Sequence, residues 1–131
     1  MRRSLFLFTI LALTLSGADK KRKGPKPPDV EIVEVAGHRG QGVIGIDGTL
    51  RNTGEKPIKG LVLLFDFMAP GRQVVTTQKG ALDEELLEPG SEAVFRVALN
   101  APPRAVEFQI NAVDGSSREL RVANPGPFVI E

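Results

Sequence analysis

Segment 105–113 reads AVEFQINAV and decides the fold class of this chain. Its even positions from 106 to 112 are apolar, whereas positions 107, 109 and 111 are polar. Because successive side chains of a β-strand point to opposite faces of the sheet, this alternation predicts a strand with one buried and one solvated face. Segment 92–99, EAVFRVAL, is apolar at every odd position and predicts a second strand of the same kind.

Five further segments carry strand signals: 30–35, 42–52, 58–67, 72–78 and 118–122. Turn-forming pairs such as Pro70-Gly71 and Pro89-Gly90 separate them. Segment 58–67, IKGLVLLFDF, is apolar on both faces and predicts a central strand, while the polar 72–78 predicts an edge strand. Seven short, evenly spaced strands predict an all-β fold, an antiparallel Ig-like β-sandwich over residues 30–131.

The inward positions of these strands give the expected core. Its members are Ile44, Ile46, Leu61, Leu63, Phe65, Phe95, Val97, Phe108, Ile110 and Leu120. Each such side chain contributes roughly 1.5–3 kcal/mol when fully buried, so the domain does not require disulfides. Glycines at 42, 45 and 48 predict a β-bulge or a close approach to the backbone. Segment 81–88, ALDEELLE, fits either one helical turn or a short strand.

The first 18 residues have the pattern of a secretory signal peptide. Met1-Arg2-Arg3-Ser4 is basic, segment 5–15 is mostly apolar, and Ser16-Gly17-Ala18 supplies small residues for cleavage. The apolar run is about half the roughly 20 residues that a membrane-spanning helix needs. We therefore expect cleavage near Ala18 and export to the periplasm or the medium. The chain has no cysteine, so we expect no disulfide, no thiolate site and no lipoprotein-type lipid anchor.

Residues 19–29, DKKRKGPKPPD, predict a basic, solvated linker. Two interpretations stay open for it: a spacer, or an arm that contacts an anionic envelope polymer or a membrane surface. The basic residues concerned are Lys20, Lys21, Arg22, Lys23 and Lys26. Residues 30–131 carry 10 Lys and Arg against 14 Asp and Glu. This acidic body argues against nucleic acid as a partner, because phosphate neutralisation dominates such binding.

The middle of the chain carries short motifs in a characteristic order. They are GTLRNTG at 48–54, Pro57-Ile58, LVLLFD at 61–66, GRQVV at 71–75, LEPG at 87–90 and AVFRV at 93–97. Over about residues 43–113 this order resembles the FxLYD-type domains, small Ig-like sandwiches found on exported bacterial envelope proteins. Phe65-Asp66 stands where that family usually has Tyr-Asp. The resemblance implies the sandwich fold and is nearly silent about ligands.

The motif residues are expected to serve the fold. Asn52 and Gly54 suit a turn that needs positive φ. Asp66 is expected to accept N–H groups from the loop that runs to Gly71.

The sequence offers little for catalysis, metal binding or sugar binding. His38 is the only histidine, in a predicted loop, and the candidate serines Ser91, Ser116 and Ser117 lack a nucleophile-elbow sequence. An acidic group lacks the regular spacing and glycine of a calcium loop and is expected to be solvated: Asp83, Glu84, Glu85, Glu88 and Glu92. The chain has neither Trp nor Tyr for stacking sugars. We expect no enzymatic activity, metal, cofactor or small-molecule substrate.

Partner contacts are predicted at two places. Val75 lies on the predicted edge strand. The tail 124–131, NPGPFVIE, contains Phe128, Val129 and Ile130, which either add a strand to a partner's sheet or close the domain's own core. The expected partner is an envelope protein or polymer, and the oligomeric state stays open.

Overall fold

The computed structural model describes residues 27–82 and 84–131, and these residues form strands, turns and loops without any helix. No described segment is therefore a helix long and apolar enough to cross a membrane. The predicted signal peptide and residues 19–26 of the linker lie outside the described residues. Eleven strands occur: β1 (Val30–Arg39), β2 (Val43–Asn52), β3 (Ile58–Lys59), β4 (Val62–Ala69), β5 (Gln73–Ala81), β6 (Leu86–Leu87), β7 (Glu92–Asn100), β8 (Glu107–Val113), β9 (Glu119–Leu120), β10 (Val122–Ala123) and β11 (Phe128–Val129).

Two main sheets pack face to face. The first has the order β10-β1-β2-β7, and the second has the order β11-β8-β4-β5 with β9 also beside β8. All pairings in them are antiparallel except that of β1 with β10. β3 and β6 form a separate two-stranded sheet.

The strand order is that of an immunoglobulin-like sandwich. In that fold, strands A, B and E share one sheet and strands C, F and G share the other. Here β1, β2 and β7 take the first set of places, and β4, β8 and β11 take the second. β5 pairs with β4 and so extends the second sheet. The predicted all-β Ig-like sandwich is confirmed, with six long strands and five two-residue strands in the described part of the chain.

The core lies between the sheets. Nine of the ten predicted core residues are buried, and Val97 is half-buried against them. Three phenylalanine rings join the sheets at the centre: Phe65 of β4 lies 6.5 Å from Phe95 of β7 and 6.3 Å from Phe108 of β8. These tilted ring pairs add to the burial of apolar area, which is the main stabilising contribution here.

A bulge in β1 explains the imperfect alternation of its sequence. The pairing with β2 shifts between Ile32 and Glu34. Before the shift Val30 and Ile32 point inward, and after it Val35 and Gly37 do. The predicted bulge therefore exists, but in the strand that faces the glycines of β2.

Gly48 in β2 provides the predicted close approach. A Cβ added there would lie 2.4 Å from Cζ of Phe95 and 2.7 Å from the carbonyl oxygen of Glu34. The ring of Phe95 occupies the space that a side chain at position 48 would need.

Asn52 is the buried polar side chain among the described residues. Its Nδ2 donates to the carbonyl oxygens of Lys56 and Leu87, each at 2.9 Å, and its Oδ1 accepts from Gly54 N–H at 2.9 Å. Neither Asn52 nor Gly54 has a positive φ, so the expectation of a positive-φ turn is wrong. The turn is held by the amide side chain, which bonds two carbonyls and one N–H from three different residues.

Several predicted boundaries are corrected. β1 continues through Gly37 and His38 to Arg39, which the sequence placed in a loop. Segment 58–67 is divided at Gly60, whose φ is +66°, so that β3 pairs with β6 and only β4 is central. The alternatives for 81–88 are decided in favour of a short strand, β6.

The last predicted strand, 118–122, is also divided. Leu120 pairs with β8 in the second sheet, whereas Val122 pairs with β1 in the first, so the chain changes sheets at Arg121. Val106 was expected to point inward with Phe108, but it lies before β8 and is 42% exposed.

We expect Gly48→Ala to destabilise the domain by about 1–3 kcal/mol, because the new methyl group meets a ring and a backbone carbonyl. Gly45→Ala in the same strand is the matched control, since the nearest atom to a Cβ there is 4.0 Å away. Chemical denaturation measures both. Equal stabilities for the two variants would contradict the packing described at Gly48.

We expect Asn52→Ala to lower the free energy of unfolding by about 3 kcal/mol, because it leaves buried carbonyl and N–H groups unpaired. Asn124→Gly is the control, since glycine tolerates the φ of +66° at this position. The exposed side chain that it removes makes one long bond, 3.3 Å to Ile32 O, so the change should cost less than about 1 kcal/mol. Urea titration of both variants checks the difference, and a mild Asn52→Ala variant would refute the role given to this amide.

Candidate interaction edges

The tail closes this domain's own sandwich. Phe128 packs on Phe108 at 5.4 Å, and β11 pairs with β8. Ile130 is half-buried and its N–H donates to Val106 O. Val129 points out and is 63% exposed. Of the two roles left open for this segment, the described structure places it as the domain's own closing strand.

The whole segment from β9 to the C-terminal residue alternates between the sheets. After β9 and β10, Pro125 O accepts from Ile110 N in the second sheet. Glu131 then bonds with both Gly37 O and Arg39 N of β1 in the first sheet, at 2.9 and 2.8 Å. One side of the sandwich is therefore sealed. The outer strands on the other side are β5 and β7, each paired along a single edge within residues 27–82 and 84–131.

β5 is the predicted edge strand and carries Val75. The prediction of an edge position is confirmed. The pairing with β4 is irregular here, since Phe67 pairs with Thr76 and Met68 with Val74, which leaves Val75 between the two pairs. Val75 is half-buried against the core, and Val74 is the outward apolar residue at 54% exposure.

β7 is a second outer strand with one unpaired edge among the described residues. The hydrogen bonds at its two ends show which of its residues bond to β2. Asn52 N donates to Ser91 O just before the strand, and Ala101 N donates to Gly42 O just after it. The register between them is regular. Because hydrogen-bonded and non-hydrogen-bonded pairs alternate in antiparallel ladders, the odd-numbered residues of β7 bond to β2. The N–H and C=O groups of the even-numbered residues 92–98 therefore point to the free edge.

On the outer face of the first sheet, oppositely charged side chains lie beside each other across neighbouring strands, in two rows. Arg51 contacts Glu31 at 3.2 Å and Glu92 at 2.8 Å. Arg96 contacts Asp47 at 2.7 Å. The hydrogen bond from Arg51 to Glu92 is the main cause that raises the pKa of Arg51, which stays cationic in any case. Between these rows lies Val94, 73% exposed.

Two open grooves lie on the surface formed by the described residues. One, of about 280 Å³, lies on the outer face of the first sheet beside Val94 and Thr49. The other, of about 630 Å³, lies where the described chain begins at Pro27, and includes Asn52 and Arg118. The charged residues lining the second groove are Asp29, Glu55, Lys56 and Arg118, so its signs are mixed.

The structure separates the residues considered for catalysis. His38 pairs with Gly45 at one end of β1, and Ser91 bonds to Asn52, which pairs with Val30 at the other end. Eight strand residues span about 26 Å. Ser116 and Ser117 follow Asp114 in the turn after β8.

That turn is held by the Asp114 carboxylate. It accepts N–H groups of Arg118 and Ser116, and the bond from Arg118 N–H is the first cause that lowers its pKa. The arrangement stabilises a β-turn, and the Arg118 guanidinium adds an ion pair to the same carboxylate, with Nε 3.1 Å from Asp114 Oδ2.

Asp66 does not serve the loop that ends at Gly71, as the sequence suggested. It lies on the outer face of the second sheet and accepts from Thr77 Oγ1 at 2.6 Å and Asn111 Nδ2 at 2.7 Å. The three side chains link β5, β4 and β8. The expected contact is wrong because strand β4 continues past Asp66 to Ala69 before the chain turns.

The remaining predicted residues make no assembled centre. Glu84, Glu85, Glu88 and Glu92 are exposed, and Asp83 is outside the described residues. In residues 27–82 and 84–131 no three His, Asp or Glu side chains are grouped to hold a metal ion. The basic residues Lys20, Lys21, Arg22, Lys23 and Lys26 lie outside the described part of the chain.

Val94 is not among the contact residues predicted from the sequence. The available signal was an apolar residue on the polar side of the alternating segment 92–99. That signal acquires meaning only once β7 is known to be an outer strand.

Comparisons with known proteins bring no functional information. No family profile and no curated protein matches this chain. Among solved structures, it is similar to part of a calcium-binding mutant of Bacteroides uniformis beta-glucuronidase 2, at 16% identity and a TM-score of 0.45. The match covers 71% of this chain and 12% of that one. A likeness at this level carries no functional argument.

We expect Phe128→Ala to destabilise the isolated protein by about 2–4 kcal/mol, because its ring packs on Phe108 in the closed core. Val129→Ala, at the exposed neighbouring position, is the control and should change stability by less than about 0.5 kcal/mol. Thermal unfolding of the purified variants measures both. Equal, small effects would mean that the tail does not close the core.

Proposed function

We propose that this chain is a non-catalytic, exported β-sandwich module that mediates protein–protein interaction, or has a structural role, in the bacterial envelope. One observation carries the proposal: among the described residues, a sandwich sealed on one side by its own C-terminal segment leaves two long strands with a free edge on the other. A free edge offers a row of main-chain donors and acceptors to a strand of another protein.

The edge of β5 fits such a partner. Val74 and Val75 lie together in a β-branched stretch, and Val74 is exposed. In strand addition the main-chain bonds give affinity, while alternate side chains give selectivity. An extended envelope-protein segment with an apolar residue opposite Val74 is the partner that this edge would accept.

Export is supported by the sequence of residues 1–18, whose order of basic, apolar and small residues is that of a cleaved signal peptide. The module would then act in the periplasm or the medium. The absence of cysteine from the sequence fits a domain stabilised by its core alone.

A second candidate is binding of an anionic envelope polymer or membrane surface through residues 20–26. The favouring observation is the segregation of charge, with five basic residues in 19–29 and an acidic body after them. Such binding is electrostatic and weakens with salt. Removal of residues 19–26 should abolish it and leave an edge-mediated contact unchanged.

In-cell photo-crosslinking with a probe at Val74, the outward residue of the β5 edge, tests the first proposal. We expect one dominant envelope-protein adduct, identified by mass spectrometry. A probe at Val33 is the control, since this valine is 38% exposed but lies in β1, which has neighbours on both sides. No adduct at Val74, with the protein instead retained on cell-wall fractions and released by salt, would overturn the first proposal in favour of the second.

A further inference from the structure

We infer that β7 is a self-complementary edge at which two copies of this chain pair antiparallel about a two-fold axis through Val94. The two first sheets then form one continuous sheet. The inference deepens the proposed function, on which it rests in treating a free edge as a contact site, but it concerns β7 and a second copy.

The backbone of β7 is prepared for this pairing. The N–H and C=O groups of residues 92, 94 and 96 point to the free edge, as derived above from the bonds at both ends of the strand. With the axis at Val94, each copy's Val94 exchanges two hydrogen bonds with the other's. Position 92 does the same with position 96 of the second copy, so three hydrogen-bonded pairs form.

The side chains select the same register. With the axis at Val94, Glu92 lies opposite the second copy's Arg96, and the reverse holds by symmetry. Val94, the most exposed of the large apolar side chains in the described residues at 73%, lies opposite its own equivalent. Opposite-charge and apolar cross-strand pairs each stabilise a sheet.

The new pairs extend charge rows that already exist. Within one copy, register places Glu31, Arg51 and Glu92 side by side across three strands. The row continues into the second copy with its Arg96 and then its Asp47, which already form a pair at 2.7 Å. The charges therefore alternate in sign along the whole row, from the negative Glu31 of one copy to the negative Asp47 of the other.

Other registers lose this complementarity. An axis through Arg96 would set the two arginines opposite each other, and like charges directly opposite are destabilising. That register would also use the end of the strand, where Gln78 Nε2 already donates to Asn100 O. The unobstructed part of the edge is centred near Val94.

β7 also lacks the devices that usually protect an edge strand. It contains no proline or lysine, and its pairing with β2 shows no register shift. β5, in contrast, has an irregular register near Val75 and carries Lys79. Bulges and lysines are common protections against edge-to-edge pairing, so β7 is the better docking edge for a second copy.

Sedimentation equilibrium of the purified protein over a concentration series tests the inference. We expect a monomer–dimer equilibrium that Val94→Arg weakens by about tenfold or more, because two arginines then meet at the axis. Val74→Arg is the matched control, an exposed valine on the other free edge, and should leave the equilibrium unchanged. Thermal unfolding verifies that both variants are folded.

A charge exchange tests the register. Glu92→Arg alone and Arg96→Glu alone each place like charges opposite in their own dimers, so each should be mainly monomeric. Mixed in equal amounts, the two variants should associate, because every arginine at 92 or 96 of one chain then faces a glutamate of the other. A folded double variant, Glu92→Arg with Arg96→Glu, should regain association, though more weakly than the unaltered chain, because the exchanged charges at 92 and 96 then repel Arg51 and Asp47 of the same copy.

A monomer at every accessible concentration overturns the inference, and so does a dimer that Val94→Arg leaves intact. Failure of the mixed variants to associate overturns the proposed register. These outcomes are separate from the proposed function, because the adduct at Val74 is scored on the Val94→Arg variant as well. An adduct that persists while no dimer forms removes the inference and leaves the β5 contact standing.

Discussion

The hydrogen bonds of Asn52, at the end of β2, hold together the strands and turns that meet there. The side chain joins the turn after β2 to β6, while its backbone N–H bonds to Ser91 at the start of β7. Hydrogen-bonded and non-hydrogen-bonded pairs alternate in an antiparallel ladder. This first bond therefore identifies which residues of β7 bond to β2 and which direct their N–H and C=O groups to the free edge. Asn52 thus contributes to the packing of the core through its side chain and to the pairing of β7 through its backbone N–H.

Two of the sequence motifs, GTLRNTG at 48–54 and LEPG at 87–90, meet at this amide. Gly54 lies in the first motif and donates to Asn52 Oδ1, whereas Leu87 and Gly90 lie in the Leu-Glu-Pro-Gly motif and bond to Asn52 Nδ2 and O. Their separation of more than 30 residues hides this relation in the sequence. The two motifs have one physical task, which is to hold two turns together.

The sequence predicts the fold best where alternation is long. β2, β7 and β8 follow their period closely, and the core residues on them were recognised. It fails where structure depends on distant groups. Gly37 looks like a loop residue, but it lies in β1 under the ring of Phe108, where a Cβ would approach to 2.7 Å. Two-residue strands such as β9 and β10 are too short to show a period at all.

Of the two candidate edges, one was predictable from the sequence and the other was not. The polar composition of 72–78 identified an edge strand, and Val75 lies there. The second edge could not be identified, because β7 has the same alternation whether it is an inner or an outer strand. Whether a strand is outer depends on the order of strands in the sheet, which the C-terminal segment fixes by sealing the opposite side.

That sealing has a mechanical consequence. β10 and the final residues of the tail both run parallel to β1, one near its beginning and the other near its end. Tension applied between residue 27 and residue 131 therefore loads these contacts in shear, along the strands, so that several hydrogen bonds must break together. A tether of this geometry resists extension much better than a hairpin opened from its end, where bonds yield one at a time.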